Sequence, residues 1–356
     1  MAKDEQNFTG TKEVADQHRF DEAALAGFLE ANVEGYEGPL TVQEFKGGQS
    51  NPTYKLVTPN KSYVLRRKPP GKLLPSAHAV DREYRVITAL GKTDVPVPRT
   101  YAMCEDESII GTMFYVMDCV DGRIMWDQTL PGMTPDERRA HYDAMNDALA
   151  KLHNVDHVAI GLEDFGKPGN YFARQISRWT KQYQASETEE IVSMNKLMEY
   201  LPNSIPAGDE TTIVHGDYRL DNMVFHPTEP RVIAILDWEL CTLGHPIGDF
   251  TYHLMSWFTK GNEIAELSDE DKAKLGIPTA AEYTKAYCER TGRGDSIEHL
   301  DWYLAYNLFR IAGILQGIRG RVRDGTAASD HAEQMSANVR ALSDQAWDYA
   351  KKAGAQ

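Results

Sequence analysis

No apolar run in this chain approaches the ~18 residues that a membrane-spanning helix requires, so a membrane protein is not expected. The opening MAKDEQNFTGTKEVADQ has no apolar core of the kind a secretory signal carries, which makes the cytoplasm the expected compartment. Cysteine is sparse: Cys104, Cys119, Cys241 and Cys288 are the four, and no two form a Cys-x-x-Cys pair. That spacing argues against a zinc ribbon, a redox motif or a disulfide framework and suits small buried apolar side chains. Basic charge is also in deficit, with 38 Lys and Arg against 53 Asp and Glu and a net charge of -15. A nucleic-acid binder normally presents a basic face, so no nucleic-acid partner is expected. The excess of acid does not exclude a nucleotide, because local groups and bound metal ions set the field around phosphates.

What is present is an ordinary globular composition, 42% hydrophobic and 26% charged, over 356 residues. That length predicts about two domains with sizeable cores. Residues 1–18 are polar and read as a frayed tail. FDEAALAGFLEANV has helical periodicity. The runs 40–45, 53–58 and 62–67 are β-rich and broken by turn residues, 80–90 is a second helix, and VPVPRTYAMCE and GTMFYVMDCV are two further strands. Beyond Asp121-Gly122 the texture turns helical. Thr134-Pro-Asp-Glu137 combines an N-cap, a proline at the first helical position and a glutamate at N3, and opens a helix reaching about His153. Further helices are expected near 170–186, 189–201, 245–259, 279–291, 296–318 and 327–352. The prediction is an α+β chain: a tail at 1–18, a small antiparallel β-rich N-lobe at 19–120 and a larger helical C-lobe at 121–356.

Two apolar, strand-like segments of the helical half run straight into carboxylates: 213-IVHGDYRLDN-222 and 233-IAILDWE-239. A loop that leaves a strand and keeps His215, Asp217 and Asn222 within eight residues can aim several polar groups into one cavity. Phosphoryl transfer needs such a set, with a carboxylate to orient or accept the proton of the attacking hydroxyl, and an amide oxygen plus a second carboxylate to hold Mg²⁺. Magnesium prefers oxygen ligands and retains water, so Asn222, Asp237 and the oxygens of ATP suffice. Between these two residues, NMVF and VIAIL can pair as a hairpin and bring its ends together.

His-x-Asp-x-x-x-x-Asn followed by a strand-ending Asp is a variant of the kinase catalytic loop. With HGD in place of HRD, Trp238-Glu239 after the metal aspartate and GHPIGDF at 244–250, the chain resembles the aminoglycoside phosphotransferase and choline kinase family over residues 20–350. The resemblance implies a bilobal protein-kinase-like fold using ATP and Mg²⁺. It makes Asp217 the catalytic base, Asn222 and Asp237 the magnesium ligands, His215 a brace for the loop and Asp249 an anchor for its backbone. It also implies a phosphate-covering loop in 46-KGGQSNPTY-54, where Gly47 and Gly48 allow close approach and Ser50 and Asn51 offer donors. On the strand 62-SYVLRR-67, Arg66 takes the place of the usual lysine, with Glu83 as its partner and Lys68 as a competitor. A solvated surface position is the plain reading of Arg67. Adenine would meet the connector 115-YVMDCVDG-122, at the Asp118 carbonyl and the Val120 amide, with Met117 behind.

The resemblance also implies a small-molecule hydroxyl as the expected acceptor. VLRRKPPGKLLPSAHAVDREYRV and VPVPRTYAMCEDESIIGTMFYVMDCVDGRIMWD look much like the kinase-like domain preceding acyl-CoA dehydrogenase domains in some larger proteins. This implies an acyl-chain hydroxyl, such as that of a hydroxyacyl-CoA, and a functional link to an acyl-CoA dehydrogenase. A basic cluster at Arg319, Arg321 and Arg323 could greet such an anion. The alternatives are an aminoglycoside, a choline-like acceptor held by Trp238, Tyr252 and Trp257, or a nucleotide-binding pseudokinase without turnover.

Overall fold

The structure, a computed structural model, describes residues 10–46, 51–69, 78–325 and 337–356. The chain forms two compact units. The first comprises Met1–Asp127, His157–Glu163 and Arg219–Cys241, the second Gln128–Asp156, Asp164–Tyr218 and Thr242–Gln356. The division therefore falls after residue 127 rather than 120, and two later segments return to the first unit. Backbone bonds explain the return: Ile235 N donates to Pro96 O at 2.9 Å, and Arg123 and Phe225 exchange N–H···O bonds of 2.8 Å in both directions.

The first unit is built on an antiparallel sheet of β1 (Thr11–Lys12), β2 (Thr41–Phe45), β3 (Thr53–Val57), β4 (Ser62–Arg67), β5 (Thr100–Cys104) and β6 (Phe114–Asp118). The strand order is β1-β2-β3-β4-β6-β5. Alternation along β4 sends Tyr63 and Leu65 into the apolar core shared with Leu25 and Leu29 of helix α1 (Glu22–Asn32). Val64 and Arg66 take the opposite face. Asp21 caps α1 by accepting from Ala23 N and Ala24 N. Helix α2 (Val80–Leu90) buries Val80, Glu83, Val86, Ile87 and Leu90. A hairpin of β8 (Met223–Phe225) and β9 (Val232–Ile235) completes the unit.

The expected frayed tail ends earlier than residue 18. Thr11 and Lys12 pair with Phe45 and Glu44. Glu44 gathers the segment by accepting from Ala15 N at 3.1 Å and facing His18 Nδ1 at 3.1 Å and Lys12 Nζ at 3.2 Å. Arg67 is not a solvated charge either. It is buried, donates to His18 O at 2.9 Å and lies over the rings of Phe20 and Tyr54.

The second unit is helical: α3 (Pro135–Asn154), α4 (Tyr171–Ser186), α5 (Val192–Asn203), α6 (Pro246–Leu254), α7 (Asp269–Leu275), α8 (Ala280–Arg290), α9 (Leu300–Arg323) and α10 (Val339–Lys352). The Thr134–Glu137 capping box forms as the sequence predicts. Two elements escape sequence reading. Helix α7 buries Lys272 alone and so lacks an apolar stripe; Ser268 caps it by accepting from Asp271 N at 3.1 Å. The three-residue β10 (Thr242–Gly244) pairs with β7 (Thr212–Val214), too short a stretch to show a period. Among the described residues no helix is long and apolar enough to cross a membrane.

Candidate active site

A pocket of about 450 Å³ lies within the first unit. Phe45 and Thr53 line it from β2 and β3, Val64 and Arg66 from β4, Met117 and Asp118 from β6, and Val120 and Gly122 from the connector that follows. Asn222, Val224, Ile235 and Asp237 contribute from the β8–β9 hairpin. The antiparallel register Met223↔Ile235 brings the hairpin ends together, and Leu236 N donates to Asn222 O at 2.8 Å. Thus Asn222 and Asp237, fifteen positions apart in the chain, are neighbours at the open end of one hairpin. Asp237 itself is left-handed at φ 63 and ψ 60, a strained conformation for a residue with a side chain.

Arg66 organises the charged end of the pocket. Its Nε lies 2.8 Å from Glu83 Oε2, a charge contact rather than an aligned hydrogen bond. Its Nη2 donates to Asp237 Oδ1 at 2.6 Å, and Glu239 Oε2 stands at 3.7 Å. Burial works against the guanidinium charge, but Glu83 and Asp237 more than offset it and raise its pKa above the ordinary value. Burial likewise pushes the Glu83 carboxyl up, against the pull of Arg66, Tyr115 and Asn51. The competing cation Lys68 points elsewhere, with Nζ 4.0 Å from Asp81. Asn51 is wholly buried: its Nδ2 donates to Glu83 Oε1 at 2.8 Å and its Oδ1 faces His78 Nδ1 at 2.9 Å. Its amide is therefore spent on holding Glu83 rather than turned toward a phosphate. Gly47, Gly48 and Ser50 lie outside the described residues. The Asp118 amide donates to Arg99 O at 2.8 Å, and its carboxylate pairs with Lys61 at 2.7 Å and accepts from Tyr101 at 2.6 Å.

Gly122 packs where a side chain has no room. A Cβ there would lie 2.3 Å from Phe225 O and 2.5 Å from Val224 Cγ1. Gly122→Ala should therefore push β8 away from the connector, at a cost of about 1–3 kcal/mol as an overpacked site. A thermal melt paired with nucleotide titration checks this; unchanged stability together with unchanged affinity would contradict it.

The HGD loop belongs to the second unit. His215 is fully buried, and its Nδ1 accepts from Asp217 N at 3.2 Å. Gly216 takes φ 86, a conformation that disfavours any side chain. Asp249 on α6 accepts from His215 N at 2.7 Å and from Gly216 N at 2.9 Å. Burial raises this carboxyl, but His153, the nearby His215 ring and the Gly216 amide outweigh it and hold it below the usual aspartate value. The Tyr252 hydroxyl donates to Asp217 Oδ1. Arg310 of α9 donates to Gly216 O at 2.5 Å and lies 4.8 Å from the Tyr252 ring centroid. Neither contact is legible in the sequence, where Tyr252 groups with Trp238 and Trp257 as an aromatic cage. Trp238 Nε1 is instead spent on Ile235 O, and Trp257 stacks on Tyr283 and donates to Pro278 O. The basic cluster near the end of α9 is likewise engaged. Arg319 pairs with Glu189 at 2.5 Å and Arg323 with Asp324 at 2.8 Å.

Comparison with known proteins fixes the family. Residues 41–291 match the model described as the phosphotransferase enzyme family. The chain belongs to that family. It is 45% identical over 319 residues to mouse (Mus musculus) acyl-CoA dehydrogenase family member 10, covering 89% of this chain and 30% of the relative. The curated relatives are longer, the chain spanning from 30% to 45% of their lengths. A Ralstonia eutropha JMP134 protein described provisionally as an aminoglycoside phosphotransferase superposes with TM-score 0.86 at 56% identity, covering 94% of this chain and 99% of that one. A ternary complex of aminoglycoside phosphotransferase APH(4)-Ia with AMP-PNP and hygromycin B gives TM-score 0.59 at 13% identity, covering 92% and 98%, which is a likeness of fold. The phosphotransferase member thus has the kinase-like α+β fold of these relatives.

Proposed function

We propose that this phosphotransferase-family protein moves the γ-phosphoryl group of Mg-ATP to the hydroxyl of a small molecule, with an acyl-linked hydroxyl such as that of a hydroxyacyl-CoA as the favoured acceptor. The observation that carries the reading is the β8–β9 hairpin, which sets Asn222 beside Asp237 in the same pocket as Arg66, itself paired with Glu83. The donor set suits magnesium: one amide oxygen and one partly exposed carboxylate are hard ligands that leave room for phosphate oxygens and water. Magnesium held by Asn222 and Asp237 would neutralise charge on the β- and γ-phosphates.

The chain's own groups supply the rest. Arg66, fixed by Glu83, is the cation for the phosphates, and its planar fork can serve phosphate and carboxylate together. Met117 and Val120 would bound the base. Asp217, held by Tyr252, would orient the acceptor hydroxyl and take its proton, with His215 and Asp249 fixing the backbone beneath it. The acyl preference draws support from the relatives named as acyl-CoA dehydrogenase family members. An ATP-consumption screen against hydroxyacyl-CoAs, aminoglycosides, choline and sugars tests the assignment. Absence of phosphorylated product with every hydroxyl acceptor, from protein that is folded, would sink it.

Asp237→Ala gives a separate expectation. Losing even an outer-shell metal partner costs about 10–100-fold in affinity, and a direct ligand should cost at least that. Calorimetry should show the magnesium enhancement of ATP binding collapse by at least about 10-fold, whereas metal-free ATP, no longer competing with Asp237 for Arg66, binds no worse. An intact magnesium enhancement would remove Asp237 from the metal site.

A further inference from the structure

In a chain of net charge -15, helix α4 stands apart. Its 16 residues carry Arg174, Arg178 and Lys181 and no Asp or Glu. Positions i, i+4 and i+7 share one helical face and span roughly 10 Å at ~1.5 Å per residue. The inward face carries Phe172, Ile176, Trp179 and Tyr183, all buried. Among the described residues no carboxylate pairs with any of the three cations; Arg174 donates to Lys167 O at 2.6 Å. A shallow recess of about 640 Å³ lies against Arg174, Ser177, Arg178 and Lys181. Like charges at this spacing repel, so the arrangement exists at the expense of the helix itself. The cluster at Arg319 and Arg323 differs because Glu189 and Asp324 neutralise it.

A second observation ties this face to the catalytic loop. Trp179 is only 6% exposed, and its Nε1 finds no acceptor among the described residues. Two guanidiniums lie near its ring, Arg178 at 5.2 Å and Arg310 at 5.8 Å from the centroid. Arg310 in turn holds Gly216 O and sits against Tyr252, whose hydroxyl reaches Asp217. A continuous set of contacts within the second unit therefore joins the basic face of α4 to the candidate base.

We infer that the exposed face of α4 docks the anionic portion of the phosphoryl acceptor, and that this portion is the phosphate-bearing carrier of an acyl group. Three cations spread over roughly 10 Å match a string of phosphates, whereas a single carboxylate would meet one or two of them. The inference rests on the phosphotransfer reading for what happens to the acceptor, but not for the binding event.

The test is calorimetric titration of the full chain with coenzyme A at low ionic strength, with excess adenosine, which carries no phosphate, to occupy the base-binding part of the nucleotide pocket. The wild type should bind coenzyme A, and added salt should weaken that binding. Arg178→Glu combined with Lys181→Glu should weaken it at least tenfold, both side chains being exposed and circular dichroism confirming the fold. Lys92→Glu, an exposed charge in the first unit, should leave it unchanged. No binding by the wild type, equal binding by the double variant, or complete competition by adenosine would each overturn the inference. Charge-sensitive binding without any turnover would sink the phosphotransfer reading and leave the docking face standing. Turnover of an uncharged acceptor without coenzyme A binding would do the reverse.

Discussion

Asp217→Ala is expected to lower phosphoryl transfer by about 10²- to 10⁴-fold, the usual loss when a general base is removed. Mg-ATP should bind it almost as the wild type does, because every residue lining the 450 Å³ pocket belongs to the first unit and Asp217 to the second. The two effects can be separated by measuring product formation at saturating ATP beside a nucleotide titration. Asp217→Asn sharpens the test. An asparagine can still accept from the Tyr252 hydroxyl at the same position, so it keeps the shape of the loop and loses only the basic oxygen. If Asp217→Asn turns over near the wild-type rate while Asp217→Ala fails, Asp217 positions the substrate and another group takes the proton. Comparable turnover by both would remove Asp217 from the chemistry altogether.

The parts of the site that could be read from sequence are those set by local spacing. Alternation along SYVLRR places Arg66 and Val64 on one face of β4, and the run from Asn222 to Asp237 contains the two apolar stretches that pair as β8 and β9. Contacts between residues remote in the chain leave no such mark. Tyr252 meets Asp217 across 35 positions, and Arg310 meets Gly216 across 94. Asn51 lies in a turn whose composition suggests phosphate donors, but its amide is captured by Glu83, 32 residues on. Arg319 displays its charge in the sequence and hides its partner, since Glu189 comes 130 residues earlier. The same limit explains the return of residues 219–241 to the first unit, because an interstrand bridge such as Arg123↔Phe225 is written in neither segment alone. Local pattern thus supplies the donor types and the strand faces. Tertiary pairing decides which of those donors remain available to a ligand.

Asp249 is where removing one side chain should damage the fold most. Its carboxylate accepts from His215 N at 2.7 Å, from Gly216 N at 2.9 Å and from His153 Nε2 at 3.2 Å, all buried. His153 Nδ1 lies 2.7 Å from the Tyr287 hydroxyl, so a neutral imidazole with its proton on Nε2 satisfies both neighbours. Burial agrees, holding His153 below the usual histidine pKa. Asp249→Ala would leave three buried donors without an acceptor, each costing about 1–3 kcal/mol, so the loss should be at least about 3 kcal/mol. Asp249→Asn should cost less, because one carbonyl oxygen remains, although its NH₂ would oppose one of the donors. Acid should act in the same direction as the mutation. A folded-state pKa below the unfolded one means that the unfolded chain binds the proton first. The stabilisation from Asp249 is therefore full above the unfolded aspartate value and is lost as pH falls through its lower folded value. The His153 contribution fades earlier, as pH drops below the ordinary imidazole range near ~6.5. Denaturant unfolding of the wild type and of Asp249→Ala between neutral and acid pH measures both effects. The variant should start several kcal/mol less stable, by about the amount above, and should lose less on acidification than the wild type. Parallel pH curves for the two proteins would show that the buried carboxylate does not anchor the HGD loop as an ionised group.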